Sequence, residues 1–275
     1  MSLVSTGFIL IMLAGFLYKA YTNTRQVKFN KVDLDISDCN DQTKQLLNVL
    51  QISDMHLENI SVLPEQLYEK LKDQKIDLIA LTGDFLDRKD SIPKLIPYLK
   101  VLNRLQAKHG IYAVFGNHDY VLKGQDFTLL KNTLDRYGCR TMQNEYDVIR
   151  INGKSLHIIG IDDFSTKRSN IAESFEGIKE HEGYTLVLTH DPNIVLNMKN
   201  VHYDYLLSGH FHGGQIHWPK PYHLVKMGQL VQMNMIKGLH IYHGKPFYIS
   251  EGLGQTGINI RVGSRPELTL HQLAV

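Results

Sequence analysis

The chain has 275 residues, of which 43% are hydrophobic and 21% are charged, proportions that are typical of globular proteins. This composition excludes a disordered tail protein, a collagen-like repeat and a disulfide-stapled mini-domain, and the length fits one large domain better than two small ones. The 30 Lys and Arg residues almost balance the 28 Asp and Glu residues, and the net charge of +2 does not suggest a dedicated nucleic-acid-binding protein. The two cysteines, Cys39 and Cys139, stand far apart without a metal-binding spacing, which favours unpaired thiols in a reducing compartment.

The first element is an apolar run at the N-terminus. Residues 3–18 read LVSTGFILIMLAGFLY, and a helix that continues to Tyr21 is just long enough to cross a bilayer core. A secretory signal peptide usually has a basic residue before the run and a small-residue cleavage site, and neither is clear here. A helix that is apolar on every face is also unusual at the surface of a soluble domain. We therefore predict an uncleaved membrane anchor over residues 1–21.

Basic residues follow the anchor and predict its orientation. They are Lys19, Arg25, Lys28 and Lys31. Because positive charge next to an apolar span favours the cytoplasmic side, we expect the rest of the chain to lie on that side of the membrane.

Strand-like and helix-like segments alternate from Val27 onward. Apolar runs with β-branched residues predict strands at Leu47–Ile52, Ile76–Leu81, Ile111–Phe115, Leu186–Leu188, Tyr205–Leu207 and Phe247–Ile249. Apolar residues spaced by three or four predict helices over Leu63–Leu71, Lys94–Leu105 and Phe127–Tyr137. The Asn152-Gly153 pair between two apolar runs predicts a tight hairpin turn, because both residues tolerate a positive φ. We expect one catalytic domain over residues 47–275, preceded by a linker and a first strand over residues 22–46.

Five of the predicted strands are followed at once by Asp, Asn or His, residue types that can bind metals or transfer protons. These side chains are Asp54 and His56, Asp84, Asn117 and His118, His190, and His210 and His212. Ligands of layered α/β folds bind at the carboxyl ends of strands, where loops converge. Alternate side chains of an extended segment point the same way, so each D-x-H or H-x-H pair is expected to converge on one ion. A single Asp or His after a strand is usually a turn or surface residue, but five such ends together are not expected by chance.

The ordered set of motifs resembles the calcineurin-like metallophosphoesterase superfamily. The motifs are Asp54-x-His56, Gly83-Asp84, Gly116-Asn117-His118-Asp119, His190 and Gly209-His210-x-His212. The segments DYLLSGHFHGGQIHW (204–218) and FYISEGLGQTGINIRVGSRPELTL (247–270) are similar to a bacterial membrane-associated branch that includes phosphodiesterases and UDP-diacylglucosamine pyrophosphatases. Phe211 departs from that branch, which often has Thr there, but it stands between ligands and is not expected to abolish metal binding.

The resemblance implies a fold and a role for each residue. The fold is α/β, with two packed mixed β-sheets flanked by helices in a four-layer sandwich, preceded here by the N-terminal membrane helix. Asp54, His56 and His212 would bind one divalent metal ion, Asn117, His190 and His210 would bind a second, and Asp84 would bridge both. Carboxylate, imidazole and amide donors suit Mn²⁺, which we favour, or Fe, Zn or Mg.

Two residues beside the ligands have expected roles of their own. His118 is expected to contact a phosphoryl oxygen or to protonate the leaving group. Asp119 is expected either to orient His118 or to be an ion-paired carboxylate of the loop.

The implied activity is that of a metal-dependent phosphoesterase of the phosphodiesterase or pyrophosphatase type. It would hydrolyse a lipid-linked or nucleotide-sugar-lipid substrate at the membrane by in-line attack of a hydroxide that bridges two metal ions. A phosphodiesterase for soluble nucleotides or nucleic acid, and a metal-binding scaffold without catalysis, are the alternatives. The lack of a Lys/Arg cluster speaks against long nucleic acids, and the presence of every expected ligand speaks against a scaffold. No protein partner follows from the sequence.

Two further segments allow a functional and a structural interpretation. Gly252–Gly257 matches the dinucleotide-binding pattern G-x-G-x-x-G, but a strand or loop is predicted after it instead of a helix, so we expect a structural loop near the metal site. Trp218–Ile241 is apolar and rich in Met. It is either a hairpin packed over the site or an apolar lip that contacts lipid through residues such as Leu230 and Met233.

Overall fold

The computed structural model describes residues 3–34, 46–178, 183–217 and 221–275. In chain order its strands are β1 (Lys28–Leu34), β2 (Leu46–Ile52), β3 (Leu78–Thr82), β4 (Ile111–Val114), β5 (Cys139–Thr141), β6 (Glu145–Ile151), β7 (Lys154–Gly160), β8 (Tyr184–Leu188), β9 (Tyr205–Ser208), β10 (Gly238–Tyr242), β11 (Lys245–Ile249) and β12 (Glu267–Ala274). Its α-helices are α1 (Leu3–Asn23), α2 (Pro64–Leu71), α3 (Ile92–Arg104), α4 (Gln125–Arg136), α5 (Ile171–Ser174) and α6 (Gln229–Gln232).

The strands form two mixed sheets of six strands each. The first sheet has the order β1-β12-β2-β3-β4-β5, and the second has the order β10-β11-β9-β8-β7-β6. Strands β2 to β5 run parallel, whereas β12 is antiparallel to β2 and parallel to β1. In the second sheet β11, β9, β8 and β7 run parallel, and β10 and β6 are antiparallel at the two edges. The predicted fold class is therefore confirmed.

Alternation of side chains along the strands produces the layers. In β2, Leu50 and Ile52 pack towards the helices, whereas Leu47 and Val49 pack between the two sheets. The parallel strands are buried on both faces because helices cover the outer face of the first sheet. A third apolar cluster covers the outer face of the second sheet. The sheets are thus the two inner layers, and their parallel strands all end at one edge of the sandwich.

The helices of the first half follow the predicted periodicity. Helix α2 begins with Pro64 and buries Leu67 and Leu71, which are one turn apart. Helix α4 buries Leu130 and Leu134 with the same spacing. The three predicted helices and all six predicted strands are confirmed within two residues at most ends.

The predicted hairpin is also confirmed. Strands β6 and β7 pair antiparallel with Ile151 opposite Lys154, which leaves Asn152 and Gly153 as a two-residue loop. Their φ angles are +49° and +87°, as a primed turn requires.

The N-terminal helix is long, apolar and largely exposed. Its segment Ser5–Asn23 has the length and composition of a membrane span, with 6% of it buried. A signal sequence near an N-terminus passes the same test, so this finding supports a membrane anchor only weakly. The side of the membrane on which the domain lies stays a prediction.

The segment that follows the last predicted ligand packs into the apolar core, as its structural interpretation has it, but not as a hairpin. Residues 222–242 form a short 3₁₀ turn (Tyr222–Lys226), helix α6 and strand β10 instead of a hairpin. Leu230 is completely buried in the cluster that covers the second sheet, so the expectation that Leu230 faces lipid is wrong. Met233 is 40% exposed. Trp218 and Cys39 lie outside the described residues, and Cys139 is a buried free thiol.

Candidate metal centre

All seven predicted metal-ligating side chains lie at the edge where the parallel strands of both sheets end. Loops after the first sheet's strands carry Asp54, His56, Asp84 and Asn117, and loops after the second sheet's strands carry His190, His210 and His212. The predicted convergence of five strand ends is thus present in the structure.

The first group of side chains consists of Asp54, His56, Asp84 and His212, all of them buried. Each offers one ligand atom, and these atoms lie within 4.8 Å of one another. The Nε2 atom of His212 is 3.3 Å from Oδ1 of Asp54 and 3.1 Å from Nε2 of His56. Nε2 of His56 is 3.5 Å from Oδ2 of Asp84.

The second group consists of Asp84, His190 and His210, so Asp84 belongs to both groups. Nε2 of His190 is 3.0 Å from Oδ2 of Asp84 and 3.2 Å from Nδ1 of His210. The Nδ1 atom of His190 lies 2.8 Å from the carbonyl oxygen of Thr82. Because a carbonyl only accepts, Nδ1 donates, and this bond turns Nε2 towards Asp84.

The backbone at these residues is not extended. The φ angles of Asp54, His56, Asp84, His210 and His212 are all positive, between +39° and +76°. The paired side chains therefore converge because of left-handed turns and not because of strand alternation, as the sequence argument had it. Non-glycine residues in this region are strained and cluster at functional sites.

Two glycines allow the two sheets to approach each other here. A Cβ atom on Gly209 would lie 2.2 Å from Oδ2 of Asp54, and one on Gly116 would lie 2.2 Å from Oδ1 of Asp84 and 2.7 Å from the His190 ring. The backbone N–H of His210 donates to both oxygens of Asp54, at 3.0 and 3.2 Å. Any side chain at either glycine would push apart the groups that must share an ion.

Burial and mutual attraction set the protonation of the cluster. Burial raises the pKa of Asp54. Burial is also the largest single effect on Asp84 and acts in the same direction, but attraction to His190, a hydrogen bond with it, and attraction to His56 and His118 together hold the pKa of Asp84 well below its usual value. Burial lowers the pKa of His56 to about 3 and that of His212 well below its usual value. These two rings are therefore neutral and offer nitrogen lone pairs.

His118 lies at the rim of the cluster. Its ring meets the His56 ring edge-on, with centroids 4.7 Å apart, and its backbone N–H donates to Oδ1 of Asp84 at 2.8 Å. Its Nδ1 atom is 3.6 Å from Oδ2 of Asp87. Asp87 was not singled out from the sequence. Its position three residues after Asp84, in the same loop, is the sequence feature that could have identified it.

The contacts of Asp119 fit neither of its two expected roles. Its buried carboxylate accepts hydrogen bonds from the backbone N–H groups of Gly116, Asp84, Phe85 and Leu86, at 2.8 to 3.3 Å. It therefore ties the loop after β4 to the loop that carries Asp84. Asp87, and not Asp119, is the carboxylate that faces the His118 ring.

Two cavities adjoin the cluster. The first has a volume of about 280 Å³, and its lining includes Asp84, Asn117, His118, His210 and His212. The second, of about 830 Å³, shares Asn117 and His210 with the first and is also lined by Lys167 and Lys226. Phe211 is buried and also lines the first cavity.

The G-x-G-x-x-G segment is confirmed as a loop beside the cluster. No helix follows it in the described residues 258–275. Gly252 and Gly254 pack against the chain at Asp54 and Met55.

The donor set fits divalent metal ions. Two carboxylates, four imidazoles and one amide oxygen are the ligand types that Mn, Fe, Zn and Mg accept. Oδ1 of Asn117 is buried and has no hydrogen-bond partner among the residues that the structure describes. A buried acceptor of this kind normally has a partner, and a cation would supply it.

The comparisons with known proteins agree with this chemistry. The model of the calcineurin-like phosphoesterase family matches residues 47–214. The uncharacterized metallophosphoesterase YkoQ of Bacillus subtilis (strain 168) is 64% identical over 264 residues, which cover 96% of this chain and 97% of that protein. Phosphodiesterase YaeI of Escherichia coli (strain K12) is 28% identical over 204 residues, 73% of this chain and 72% of that protein. UDP-2,3-diacylglucosamine pyrophosphatase LpxG of Chlamydia trachomatis is 25% identical over 280 residues, and 82% of each chain is covered.

Proposed function

Because this chain belongs to the calcineurin-like phosphoesterase family, we propose that it hydrolyses a phosphodiester or pyrophosphate bond of a lipid-linked substrate at a membrane surface. Family membership makes it a metal-dependent hydrolase of phosphate esters. The proposal concerns the substrate, the place of action and the role of each residue.

The metal-binding roles are proposed as follows. Asp54, His56 and His212 hold one ion, Asn117, His190 and His210 hold a second, and Asp84 contacts both. When bound, two such cations would polarise the phosphoryl group and activate a water nucleophile. Mn²⁺ is the ion that we favour.

His118 acts on the substrate from the rim. Its ring lines the cavity beside Asp84, where it hydrogen-bonds a phosphoryl oxygen or gives a proton to the leaving oxygen. Asp87 is a positioning residue, since its carboxylate faces Nδ1 of His118 and leaves Nε2 free to meet the substrate.

The second cavity is suited to the remainder of a charged substrate. Lys167 and Lys226 line it, and it adjoins the cluster through Asn117 and His210. Cationic side chains beside the scissile phosphate favour a substrate with a second phosphate. The name of one relative, a UDP-2,3-diacylglucosamine pyrophosphatase, supports a bond of this type.

The proposed action at a membrane surface rests on one observation, the docking of α1 against the segment that lines the metal-site cavity. The backbone N–H of Arg261 donates to the carbonyl oxygen of Ala20 at 2.9 Å, and Nδ2 of Asn23 donates to the carbonyl oxygen of Arg261 at 2.9 Å. The buried guanidinium of Arg261 in turn donates to the carbonyl oxygens of Gly252 and Gly254, at 3.0 and 2.6 Å. These glycines pack on the Asp54–Met55 segment, so few residues separate the apolar helix from the metal cluster.

The test is hydrolysis by the full chain after reconstitution with Mn²⁺. Bis-p-nitrophenyl phosphate serves as the soluble diester, and a UDP-sugar lipid in phosphatidylglycerol vesicles serves as the lipid-borne pyrophosphate. We expect both to be hydrolysed, the lipid substrate with the higher kcat/KM, and Asp84→Ala to hydrolyse neither. Hydrolysis of soluble nucleotides with no activity on vesicles would favour a soluble phosphodiesterase instead. Metal binding without any hydrolysis would favour the scaffold.

A further inference from the structure

A groove separates part of α1 from the catalytic domain. It has a volume of about 560 Å³ and is lined by Leu13, Phe16, His217, Val262 and Gly263. It is distinct from both cavities at the metal cluster. We propose that this groove binds an acyl chain of the substrate while the phosphate group lies at the metal cluster, an inference that rests on the proposed function.

The helix wall of the groove selects an apolar occupant. Leu13 and Phe16 belong to the segment Ser5–Asn23, which has the length and composition of a membrane span. Both side chains remain about half exposed although they face the domain across the groove. If α1 lies in a bilayer, the medium that reaches this groove is hydrocarbon, and a lipid chain is the occupant that matches its lining.

The opposite wall is shared with the metal-site cavity. Thr256 and Ile258 line the cavity, whereas Val262 and Gly263 of the same segment line the groove. A lipid whose phosphate enters the cavity therefore has its chains on the groove side of a thin wall.

Gln215 makes this wall rigid. Its side chain donates to the carbonyl oxygens of Thr256 and Ile258, at 2.9 and 3.0 Å, and its own carbonyl oxygen accepts from the N–H of Val262 at 2.8 Å. A fixed wall of this kind holds the groove at a constant distance from the ligands, which is needed if one substrate is to occupy both.

The docking of α1 also fixes the other wall. Ala20 and Thr24 are buried, and Oγ1 of Thr24 donates to Oγ of Ser61 at 2.9 Å. Helix α1 is therefore attached to the domain at its C-terminal end and is not a tether on a free linker. The groove lies on the N-terminal side of this attachment, since the helix residues that line it, Leu13 and Phe16, precede Ala20.

The first experiment compares two soluble diesters that differ only in chain length, p-nitrophenyl ethyl phosphate and p-nitrophenyl dodecyl phosphate. Each methylene group that is buried adds roughly fourfold to affinity, so we expect the full-length enzyme to prefer the dodecyl ester in kcat/KM. Val262→Trp and Leu13→Trp fill the groove from opposite walls and should reduce this preference at least about tenfold. Ile11→Trp is the matched control, because Ile11 lies about 170° around the helix from the groove-facing side.

The possible outcomes distinguish a failure of acyl-chain binding in the groove from a failure of the proposed activity. Unchanged hydrolysis of the ethyl ester in the Trp variants would show that fold and metal cluster are intact. If the preference for the dodecyl ester survives in both groove variants, or if Ile11→Trp abolishes it equally, the groove does not bind the acyl chain. Hydrolysis of neither ester by the wild type would contradict the proposed function, and the second experiment would then decide on the groove alone.

The second experiment needs no catalysis. The full chain is reconstituted in phosphatidylglycerol vesicles that contain a phospholipid with a photoreactive diazirine near the end of one acyl chain. After irradiation we expect labelling of the domain at His217 or Val262–Gly263, reduced at least about fivefold in Val262→Trp relative to Ile11→Trp. Labels confined to α1, with none on the domain, would overturn the proposal.

Discussion

The two sheets contribute different chemistry to the same centre. Loops of the first sheet supply both carboxylates and the amide, Asp54, Asp84 and Asn117, with one imidazole, whereas loops of the second sheet supply only imidazoles. Carboxylates are thus concentrated on one side of the seam and imidazoles on the other. Neither sheet alone presents a complete ligand set, so the centre exists only where the sheets are packed together.

The first sheet thus supplies the negative charge of the site, and the second sheet completes the set of ligands. Loss of a first-sheet carboxylate should therefore cost more than loss of a second-sheet histidine.

Asp84→Ala should remove both metal ions and reduce turnover by more than about 10³-fold, because this carboxylate contacts both ligand groups and neutralises cationic charge. His210→Ala, which removes a ligand from the second group only, should retain about one ion per chain. Elemental analysis after dialysis and kcat on bis-p-nitrophenyl phosphate are the measurements. Two full metal equivalents in Asp84→Ala would refute the shared role.

His118→Asn should keep both ions but lower kcat by about 10²–10⁴-fold, as expected for a positioned acid. Asp87→Asn should lower kcat less and shift the pH–rate profile, since it acts only through His118. A rise in KM alone in His118→Asn would mean that the ring binds the substrate and does not transfer a proton.

Lys226→Met should reduce hydrolysis of a pyrophosphate by about tenfold, the usual value of one charge-assisted hydrogen bond, and affect bis-p-nitrophenyl phosphate much less. Lys226 and Lys167 both lie in loops that follow strands of the second sheet, so this comparison asks whether that sheet also supplies the substrate's counter-charges. The kcat/KM ratio of the two substrates is the readout. An equal loss on both would remove the argument for a second phosphate.

The last prediction concerns stability instead of catalysis, and it tests a polar contact between the sheets. His271 on β12 pairs with the Tyr205 hydroxyl of β9 at 2.9 Å and with the Gln51 side chain at 3.1 Å. Burial lowers the pKa of His271 to about 3, so between about pH 3 and 6.5 the unfolded chain holds one more proton than the folded chain. The free energy of unfolding should therefore fall on acidification by about 1.4 kcal/mol per pH unit from this group.

Urea unfolding of chelator-treated protein between pH 7 and pH 4 measures this slope. His271→Asn should make it shallower, and because other buried histidines remain in both proteins, their contributions cancel in the difference. Identical slopes would show that His271 is already protonated in the folded state or that the unfolded chain does not hold the extra proton.

The strand ends, and with them the positions of the ligands, were readable from the sequence because the parallel strands are mostly apolar and rich in β-branched and Leu residues. Strand β12 was not, since Glu267, Thr269 and His271 interrupt its apolar pattern although all three are buried. Each has a partner contributed by a distant part of the chain, such as Tyr248 for Glu267 at 2.9 Å. Local hydrophobicity does not record partners of this kind.

The backbone conformation that brings the ligands together could not be predicted from the sequence either. Spacing predicted that Asp54 and His56 approach each other, but the left-handed φ angles that bring them together depend on packing against Gly209 and Gly252. That Asp87 faces His118, a role expected of Asp119, was hidden for a similar reason, because a carboxylate's partner depends on how two loops meet.

The position of β12 has a consequence for how this protein is made. It lies between β1 and β2, so among the described strands the one synthesised last separates the two synthesised first. Until β12 has left the ribosome, β1 lacks the strand with which it pairs in the described part of the chain, and one edge of β2 is open. Unpaired strand edges are prone to aggregate. Nascent chains that stall shortly before residue 267 should therefore depend on chaperones, even though nearly the entire metal centre has already been translated.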